Sequence, residues 1–454
     1  MIGLYKKLPV WLQDWAITYQ NTKVYAYKFG AKPFTRPIGK VVNEMKAEPF
    51  LLNDDKSGNR LQELLRYIKQ HVPYYREHAE IYVPIRQEQD LPQWPLFQKN
   101  KLRKHAAELV SDEVTASNSV SFKTSGSTGA PLKGYFAIED MNIRFKALLA
   151  SMIAFGIDLN KPYARFPGHD IAPKGRPYRK DLLNQHLLFS IFHLSPKTAP
   201  QYHQALVKHQ IEALEGYPSV LHNVARMFQQ QGLETPKLKH ILTTGEKLHP
   251  YQKDDLERIF GAKVFDYYGS SEGSIFAYTC TEGKLHCSNV TGLLEVLDKA
   301  GNPTPAGEAG RMIITSFTGK FFPLLRYDIG DRCIVSKEQT CACGTEGLIL
   351  EEILGRDEDV FVTKDGRIFS RFSLALKHLP EDILASQLVL SNAKSRALVR
   401  YISPHLEPYQ PEAFLPFITK IQSMIGESYA VEFEQVSEIR GARGKTPAVI
   451  IEDI

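Results

Sequence analysis

Cysteine is scarce in this chain, five in 454 residues, too few and too irregularly spaced for a disulfide framework, which predicts a reducing environment. A marked excess of one charge is also lacking. The net charge of +5, from 56 basic and 51 acidic residues, is too slight to imply a nucleic-acid partner and is compatible with an anionic small molecule. No apolar run approaches the roughly 20 residues of a spanning helix, so no transmembrane segment is expected. Nor does a cationic leader with an apolar core and small-residue cleavage site open the chain, and a cytoplasmic location is the expectation. Internal repeats and low-complexity tracts are absent, which excludes solenoids and arrays. What is present is an ordinary folded composition, 43% hydrophobic and 24% charged. The length exceeds the roughly 250 to 300 residues that one core serves, which predicts at least two domains.

Leu4, Leu8, Trp11, Leu12 and Trp15 recur near helical spacing and predict one amphipathic helix packed on the body of the protein, with contact at a membrane surface as the alternative. A helical pattern over Leu61 to Tyr75 runs into a proline-containing break. From Ser119, short apolar runs alternate with helical stretches: Ser119 to Lys123, Met141 to Phe155, Ile211 to Glu215, Val220 to Gln230, Ile241 to Thr244 and Val264 to Tyr268. Such alternation predicts an α/β layer. Between Gly292 and Val335 closely spaced strands take over, with turns at Lys299 to Pro305 and Phe317 to Lys320. The expected fold class is therefore α/β: a large N-terminal α/β domain with associated β structure over residues 1–354, and a small, mobile C-terminal α+β domain over residues 355–454.

The most informative stretch runs from Ser121 to Gly134. After a strand-like run it sets Gly126 and Gly129 among the hydroxyls of Thr124, Ser125, Ser127 and Thr128, a composition suited to wrapping backbone and hydroxyl donors around phosphate oxygens. Neither glycine begins a Walker pattern, so the cradle is of another kind. Taken alone, the same residues also suit a polar surface turn.

This loop resembles the phosphate-loop signature of the adenylate-forming superfamily, which includes acyl-coenzyme A synthetases, peptide-synthetase adenylation domains and luciferases. Further matches follow in the same order. Thr244-Gly245-Glu246 resembles the adenine-side turn, and Tyr268-Gly269-Ser270-Ser271-Glu272 resembles the Tyr-Gly-x-Thr-Glu motif with Ser in place of Thr. Arg326 to Asp331 resembles the stretch ending in Gly-Asp, Gly355-Arg356-Asp357-Glu358-Asp359 resembles the hinge, and Gly444-Lys445 resembles the C-terminal Gly-Lys pair. Within the superfamily, the chain is most similar to the phenylacetate-coenzyme A ligase-like branch, including members associated with capsular polysaccharide biosynthesis.

The resemblance implies an ATP-dependent ligase that joins a small-molecule carboxylate to AMP and then passes the acyl group to a thiol, of coenzyme A or of a carrier protein. Transfer to an amine is the alternative acceptor chemistry, and a non-catalytic nucleotide-binding relative the alternative class. By the same resemblance, Thr124, Ser125, Gly126, Ser127, Thr128 and Gly129 hold the β- and γ-phosphates, and Gly245 and Glu246 form the adenine-side turn. Tyr268, followed by Gly269, stacks on adenine, Ser271 contacts the α-phosphate, and Glu272 holds Mg²⁺, a hard cation that prefers carboxylate and phosphate oxygens. Asp331 accepts from the ribose hydroxyls, Arg356 reaches ribose or phosphate, and Lys445 is the adenylation lysine. Two positions depart from the pattern. Leu132 separates the loop proline from Lys133, which is given no role, and Glu358 and Asp359 share the hinge acid positions.

Tyr217, Ser219 and the region from Phe166 to His169 lie between the phosphate loop and the Tyr-Gly motif, and stand as unassigned pocket candidates or as ordinary packing. Finally, Cys280, His286, Cys341 and Cys343, with Cys287 as an alternative ligand, read either as a zinc site or as unligated thiols. Four protein ligands leave no open position, so such a zinc is structural.

Overall fold

A computed structural model describes the chain except residues 1–4, 6–7, 30–37, 80–81, 124–132, 169–170, 172–175, 274, 356–360, 367, 370–371, 377, 381–382, 384, 404, 406, 408, 438, 440–448 and 453–454. Among the described residues, the helices are α1 (Val10–Phe29), α2 (Ile38–Ala47), α3 (Ser57–His71), α4 (Pro73–Glu77), α5 (Lys99–Lys104), α6 (Ile138–Ala154), α7 (Ala199–Lys208), α8 (Pro218–Gln230), α9 (Pro250–Phe260), α10 (Ser373–Leu376) and α11 (Leu415–Ile425). The strands are β1 (Ser119–Lys123), β2 (Lys133–Ala137), β3 (Tyr163–Arg165), β4 (Tyr178–Lys180), β5 (Leu187–Phe189), β6 (Ala213–Gly216), β7 (His240–Thr244), β8 (Lys263–Gly269), β9 (Phe276–Thr279), β10 (Leu285–Ser288), β11 (Gly292–Leu297), β12 (Ala309–Ser316), β13 (Tyr327–Val335), β14 (Ile349–Gly355), β15 (Phe361–Val362), β16 (Ile368–Phe369), β17 (Ala385–Ser391), β18 (Arg396–Ile402), β19 (Ala430–Gln435) and β20 (Val449–Ile451).

Strands β3 to β14 form one sheet in the order 11-12-13-14-10-9-8-7-6-3-5-4. Its two halves differ in kind. Between β5 and β8 the neighbours run parallel, whereas from β8 to β11 every pairing is antiparallel. The parallel half is the α/β layer expected from the alternating pattern, because parallel neighbours need a helix to carry the chain back. The intervening helices carry their own punctuation. Proline opens α8, where its missing amide costs nothing, and α9 starts from a reciprocal His249–Gln252 cap and stops at Gly261, whose φ of +63° ends the helix. Leu242 and Phe265, from adjacent parallel strands, are fully buried against Ala147 and Met152 of α6 and Val42 of α2. Each such side chain contributes roughly 1.5 to 3 kcal/mol.

Helix α1 packs on α6 and β4, but not by the face its sequence suggested. Gln13, Asp14, Thr18 and Thr22 are buried, while Trp11 and Trp15 are exposed. The inward residues meet polar partners, and those pairings outweigh the apolar spacing.

The chain divides into two compact units. The first contains the large sheet. The second takes in Lys123, Lys133, Ile191–Lys197 and the described part of Asp357–Ile454, with the sheet β19-β18-β17-β20 at its centre. Its core gathers Leu388, Val399, Phe417 and Ile421. Phe192 joins that core, with its ring centroid 6.2 Å from that of Phe369.

Candidate active site

Four parallel strands of the first unit end along one edge of the sheet, and the chain leaving them carries residues singled out above. Arg165 ends β3 ahead of Phe166, Gly216 ends β6 ahead of Tyr217 and Ser219, Thr244 ends β7 ahead of Gly245 and Glu246, and Gly269 ends β8 ahead of Ser271 and Glu272. Ligands of open α/β sheets bind at this carboxyl edge, where the connecting loops diverge. Gly245 has a φ of +82°, a conformation strained for other residues, and the sharp turn it allows lets Glu246 accept the Ser219 amide at 3.2 Å in the first turn of α8.

Tyr268 and Asp331 meet directly: the phenol donates to Asp331 Oδ2 at 2.6 Å. Their strands, β8 and β13, are four places apart in the sheet. In a flat sheet that is about 19 Å, at roughly 4.8 Å per strand, so the antiparallel half must curl. Register breaks between Arg332 and Cys333, and between Ile334 and Val335, mark where β13 bends against β14. The first lies beside Asp331.

Glu272 is buried at the end of a turn closed by the Gly273 amide donating to the Ser270 carbonyl at 3.1 Å. Arg144 of α6 faces this turn, with Nη2 3.4 Å from the Ser270 oxygen and its guanidinium 4.6 Å from the centre of the Phe136 ring. Burial pulls Arg144 down to about 10, while the carboxylates of Asp140 and Glu272 push it back up, so it stays charged near neutrality. Burial also raises Asp140 to about 6, although its carboxylate receives the Lys320 amide at 3.0 Å. Neither residue belongs to a motif. The only sequence signal is their i,i+4 spacing.

A second polar cluster lies at the same edge. Arg165 grips Glu215 through Nε at 2.7 Å and Nη2 at 2.9 Å, and the Tyr267 hydroxyl donates to Glu215 at 3.1 Å. Phe166, a pocket candidate, instead stacks on Phe189 with ring centroids 5.1 Å apart and is buried in the core. Gly168 sits so close to Tyr217 that a Cβ there would lie 2.3 Å from its hydroxyl. Of the segment from Arg326 to Asp331, Asp331 turns toward Tyr268. Arg326 binds Glu295 at 2.7 and 2.9 Å, Tyr327 is core, and Asp328 pairs with Arg311 at 2.7 Å. Thr124, Ser125, Gly126, Ser127, Thr128, Gly129, His169, Arg356, Glu358, Asp359 and Lys445 lie outside the described residues.

Away from this edge, the β9–β10 hairpin and the turn before β14 bring four metal-type ligands together. The ligand atoms of Cys280, His286, Cys341 and Cys343 all lie within 4.8 Å of one another. Cys280 and Cys341 sulfurs are 3.7 Å apart, and Cys343 Sγ is 3.5 Å from His286 Nε2. A tetrahedral zinc with ordinary bond lengths has S···S and S···N edges of about 3.8 and 3.6 Å, so the cluster fits that ion. Burial pushes Cys280 up to about 11; it acts on Cys343 too, but the donors of Thr345 outweigh it and hold that thiol below its usual range. Cys287, the alternative ligand, is not in the cluster. Adjacent to His286 on β10, it points to the opposite face of the strand and lies buried near Cys333.

Comparison with known proteins converges on one group. Residues 188–318 match the family described as AMP-binding enzyme, a span that holds Gly245, Glu246, Tyr268, Gly269, Ser271 and Glu272. Protein CapK of Staphylococcus aureus is 26% identical over 416 residues, covering 87% of this chain and 88% of that protein. The phenylacetate-coenzyme A ligase of Thermus thermophilus is 24% identical, covering 73% and 76%. The chain resembles the adenylate-forming superfamily, by the family match over residues 188–318 and by these relatives. A second phenylacetate-coenzyme A ligase, of Pseudomonas putida, is 23% identical, covering 85% of this chain and 91% of that protein. The fold agrees: a crystal structure of 2-hydroxyisobutyryl-CoA ligase, in complex with 2-HIB-AMP and CoA in the thioesterification state, superposes with a TM-score of 0.58 at 21% identity, covering 87% of this chain and 89% of that one.

Proposed function

We propose that the protein is an AMP-forming acid–thiol ligase: a carboxylate attacks the α-phosphate of ATP, pyrophosphate leaves, and the acyl-adenylate passes its acyl group to the thiol of coenzyme A. The observation that carries this reading is the Tyr268–Asp331 hydrogen bond, which joins two motifs 63 residues apart at the carboxyl edge of the parallel strands. The 2-hydroxyisobutyryl-CoA ligase structure, in complex with 2-HIB-AMP and CoA, supports the choice of a thiol acceptor.

In this reading the Tyr268 ring offers a flat face to adenine while its hydroxyl fixes Asp331, whose carboxylate accepts from the ribose hydroxyls. Gly245 and Glu246 border the base, Ser271 donates to the α-phosphate, and the loop from Thr124 to Gly129 cradles the β- and γ-phosphates. Arg356 and Lys445 supply positive charge to the ribose or phosphate and to the reacting carboxylate. They belong to the segment that links or forms the second of two domains, proposed as residues 1–354 and 355–454. Two anions approaching one another need such charge, because attack is otherwise opposed electrostatically. Glu272 would hold Mg²⁺, which when bound would neutralise phosphate charge. Arg144 brings positive charge to the same turn. The Cys280, His286, Cys341 and Cys343 cluster holds a structural zinc, pinning the β9–β10 hairpin to the turn before β14.

Incubating the protein with ATP, magnesium, coenzyme A and a panel of aliphatic and aromatic acids, with mass analysis of products, tests the proposal. Acid-dependent AMP and acyl-coenzyme A are expected. Acid-dependent AMP with an amide formed from a supplied amine, and no thioester, would overturn the acceptor assignment.

A further inference from the structure

Helix α1 turns its polar side inward and its aromatic side outward. Inside, Gln13 accepts from Arg179 Nε at 2.6 Å, Asp14 pairs with Arg176 and accepts the Lys180 amide at 3.0 Å, Thr18 accepts the Leu182 amide at 2.9 Å, and Asn21 donates to Asp181 at 2.8 Å. These bonds orient the helix firmly about its axis. Outside, Trp11, Trp15 and Tyr19 are 61, 53 and 49% exposed. At i, i+4 and i+8 they form one stripe along the helix. Leu182 and Leu183, also exposed, lie on the loop bonded to Thr18 and add to the apolar surface beside α1. Exposed side chains of this size, clustered rather than scattered, mark a surface that meets something else.

The charge pattern says what. Residues 1–36 contain Lys6, Lys7, Lys23, Lys28, Lys32 and Arg36, against the single acid Asp14, which Arg176 already engages. Lys23 is exposed, its ammonium 5.3 Å from the centre of the Tyr19 ring. Tryptophan and tyrosine rings with lysines beside them are the side chains that settle at the headgroup level of a bilayer. Basic segments are drawn to anionic leaflets. We propose that α1 is a membrane-surface docking element, which lies in the plane of an anionic bilayer with Trp11, Trp15 and Tyr19 at headgroup depth and Lys23 on a lipid phosphate. Docking here needs no spanning segment: among the described residues no helix is long and apolar enough to cross a membrane. A second copy of the chain is disfavoured as the occupant, because it would bring two basic segments together without an exposed acid in either.

The protein contains three tryptophans, Trp11, Trp15 and Trp94, and Trp94 is buried with its indole N–H held by the Val83 carbonyl at 2.6 Å. Emission changes on vesicle binding therefore report α1. The test is flotation and tryptophan emission of the full chain with phosphatidylcholine vesicles, with and without phosphatidylserine. Binding to the anionic vesicles with a blue shift, at least about tenfold weaker on phosphatidylcholine alone and weakened by salt, is expected. The Trp11→Gln/Trp15→Gln variant should lose about tenfold or more in that binding. It should keep the wild-type melting temperature and circular dichroism, since both rings are exposed. Equal binding by variant and wild type, or no binding to anionic vesicles, would overturn the proposal. So would a concentration-dependent dimer, seen by sedimentation, that the double variant abolishes.

Discussion

The Tyr268 hydroxyl donates to Asp331 Oδ2 at 2.6 Å, across a sheet in which their strands are four places apart. That bond fixes the ring in place and ties it to one oxygen of the carboxylate.

Tyr268→Phe keeps the ring and removes the bond. A net loss of about 1 kcal/mol predicts a several-fold rise in the KM for ATP with kcat little changed, measured by steady-state kinetics. Asp331→Ala should weaken ATP more, in calorimetric titration, while the melting temperature holds. Unchanged ATP affinity in a folded Asp331→Ala protein would remove Asp331 from the site.

Gly273 has a φ of +67°, and a Cβ there would stand 2.2 Å from Arg144 Nη1. Gly273→Ala is therefore expected to displace Arg144 from the Glu272 turn, lowering thermal stability and reducing acyl-adenylate formation at least about tenfold. Gly261→Ala, also at positive φ but with open space around its Cβ, should cost stability alone. Comparing the two by melting and by adenylation rate separates backbone strain from loss of Arg144.

Asp266 is buried on β8, with burial raising its carboxyl to about 6 although the Thr243 hydroxyl donates to it at 2.5 Å. The folded pKa exceeds the unfolded value of 3.8. This group's contribution is thus fully present below the unfolded pKa and is lost as pH rises through about 6. Asp266→Asn removes that ionisation. Relative to wild type it should gain on the order of 2 kcal/mol between pH 4 and pH 8, read from denaturant unfolding at the two pH values. A difference that does not change with pH would refute the burial-driven shift.

Protein purified without added metal is expected to contain about one zinc per chain, and a strong chelator to lower its melting temperature. Cys343→Ser should lose the metal, whereas Cys287→Ser, altered on the opposite face of β10, should retain it. Elemental analysis showing no zinc in folded protein would contradict the site.

The sequence made the parallel half of the sheet legible because each of its strands is a short apolar run beside a helix with ordinary caps, as with Val220 to Gln230 and Ile241 to Thr244. The antiparallel half announced itself by its turns. The face of α1 was misread because spacing reports only where apolar residues recur, while the burial of Asp14 was decided by Arg176, 162 residues later. Arg144 and Asp140 escaped notice for the same reason, having no motif around them. At the site, the ordered motifs pointed to Tyr268, Glu272 and Asp331, but not to the bond between the first and the last. That bond depends on bulges in β13 that leave no mark in composition. The four zinc-type ligands were found from residue type, and alternation along β10 then separated His286 from Cys287.

Lys445→Ala is predicted to slow acyl-adenylate formation strongly, by about a hundredfold or more, while sparing thioester formation from a chemically supplied acyl-adenylate. Equal slowing of both half-reactions would remove Lys445 from the adenylation step.

The most direct measurement of the central claim is isotopic exchange between pyrophosphate and ATP across an acid panel without coenzyme A. Label should return to ATP only when a cognate acid is present, and Lys445→Ala should abolish that return. Exchange that is independent of acid, or none with any acid in a folded protein that binds ATP, would contradict the assignment of this chain as an enzyme that activates carboxylates through an adenylate.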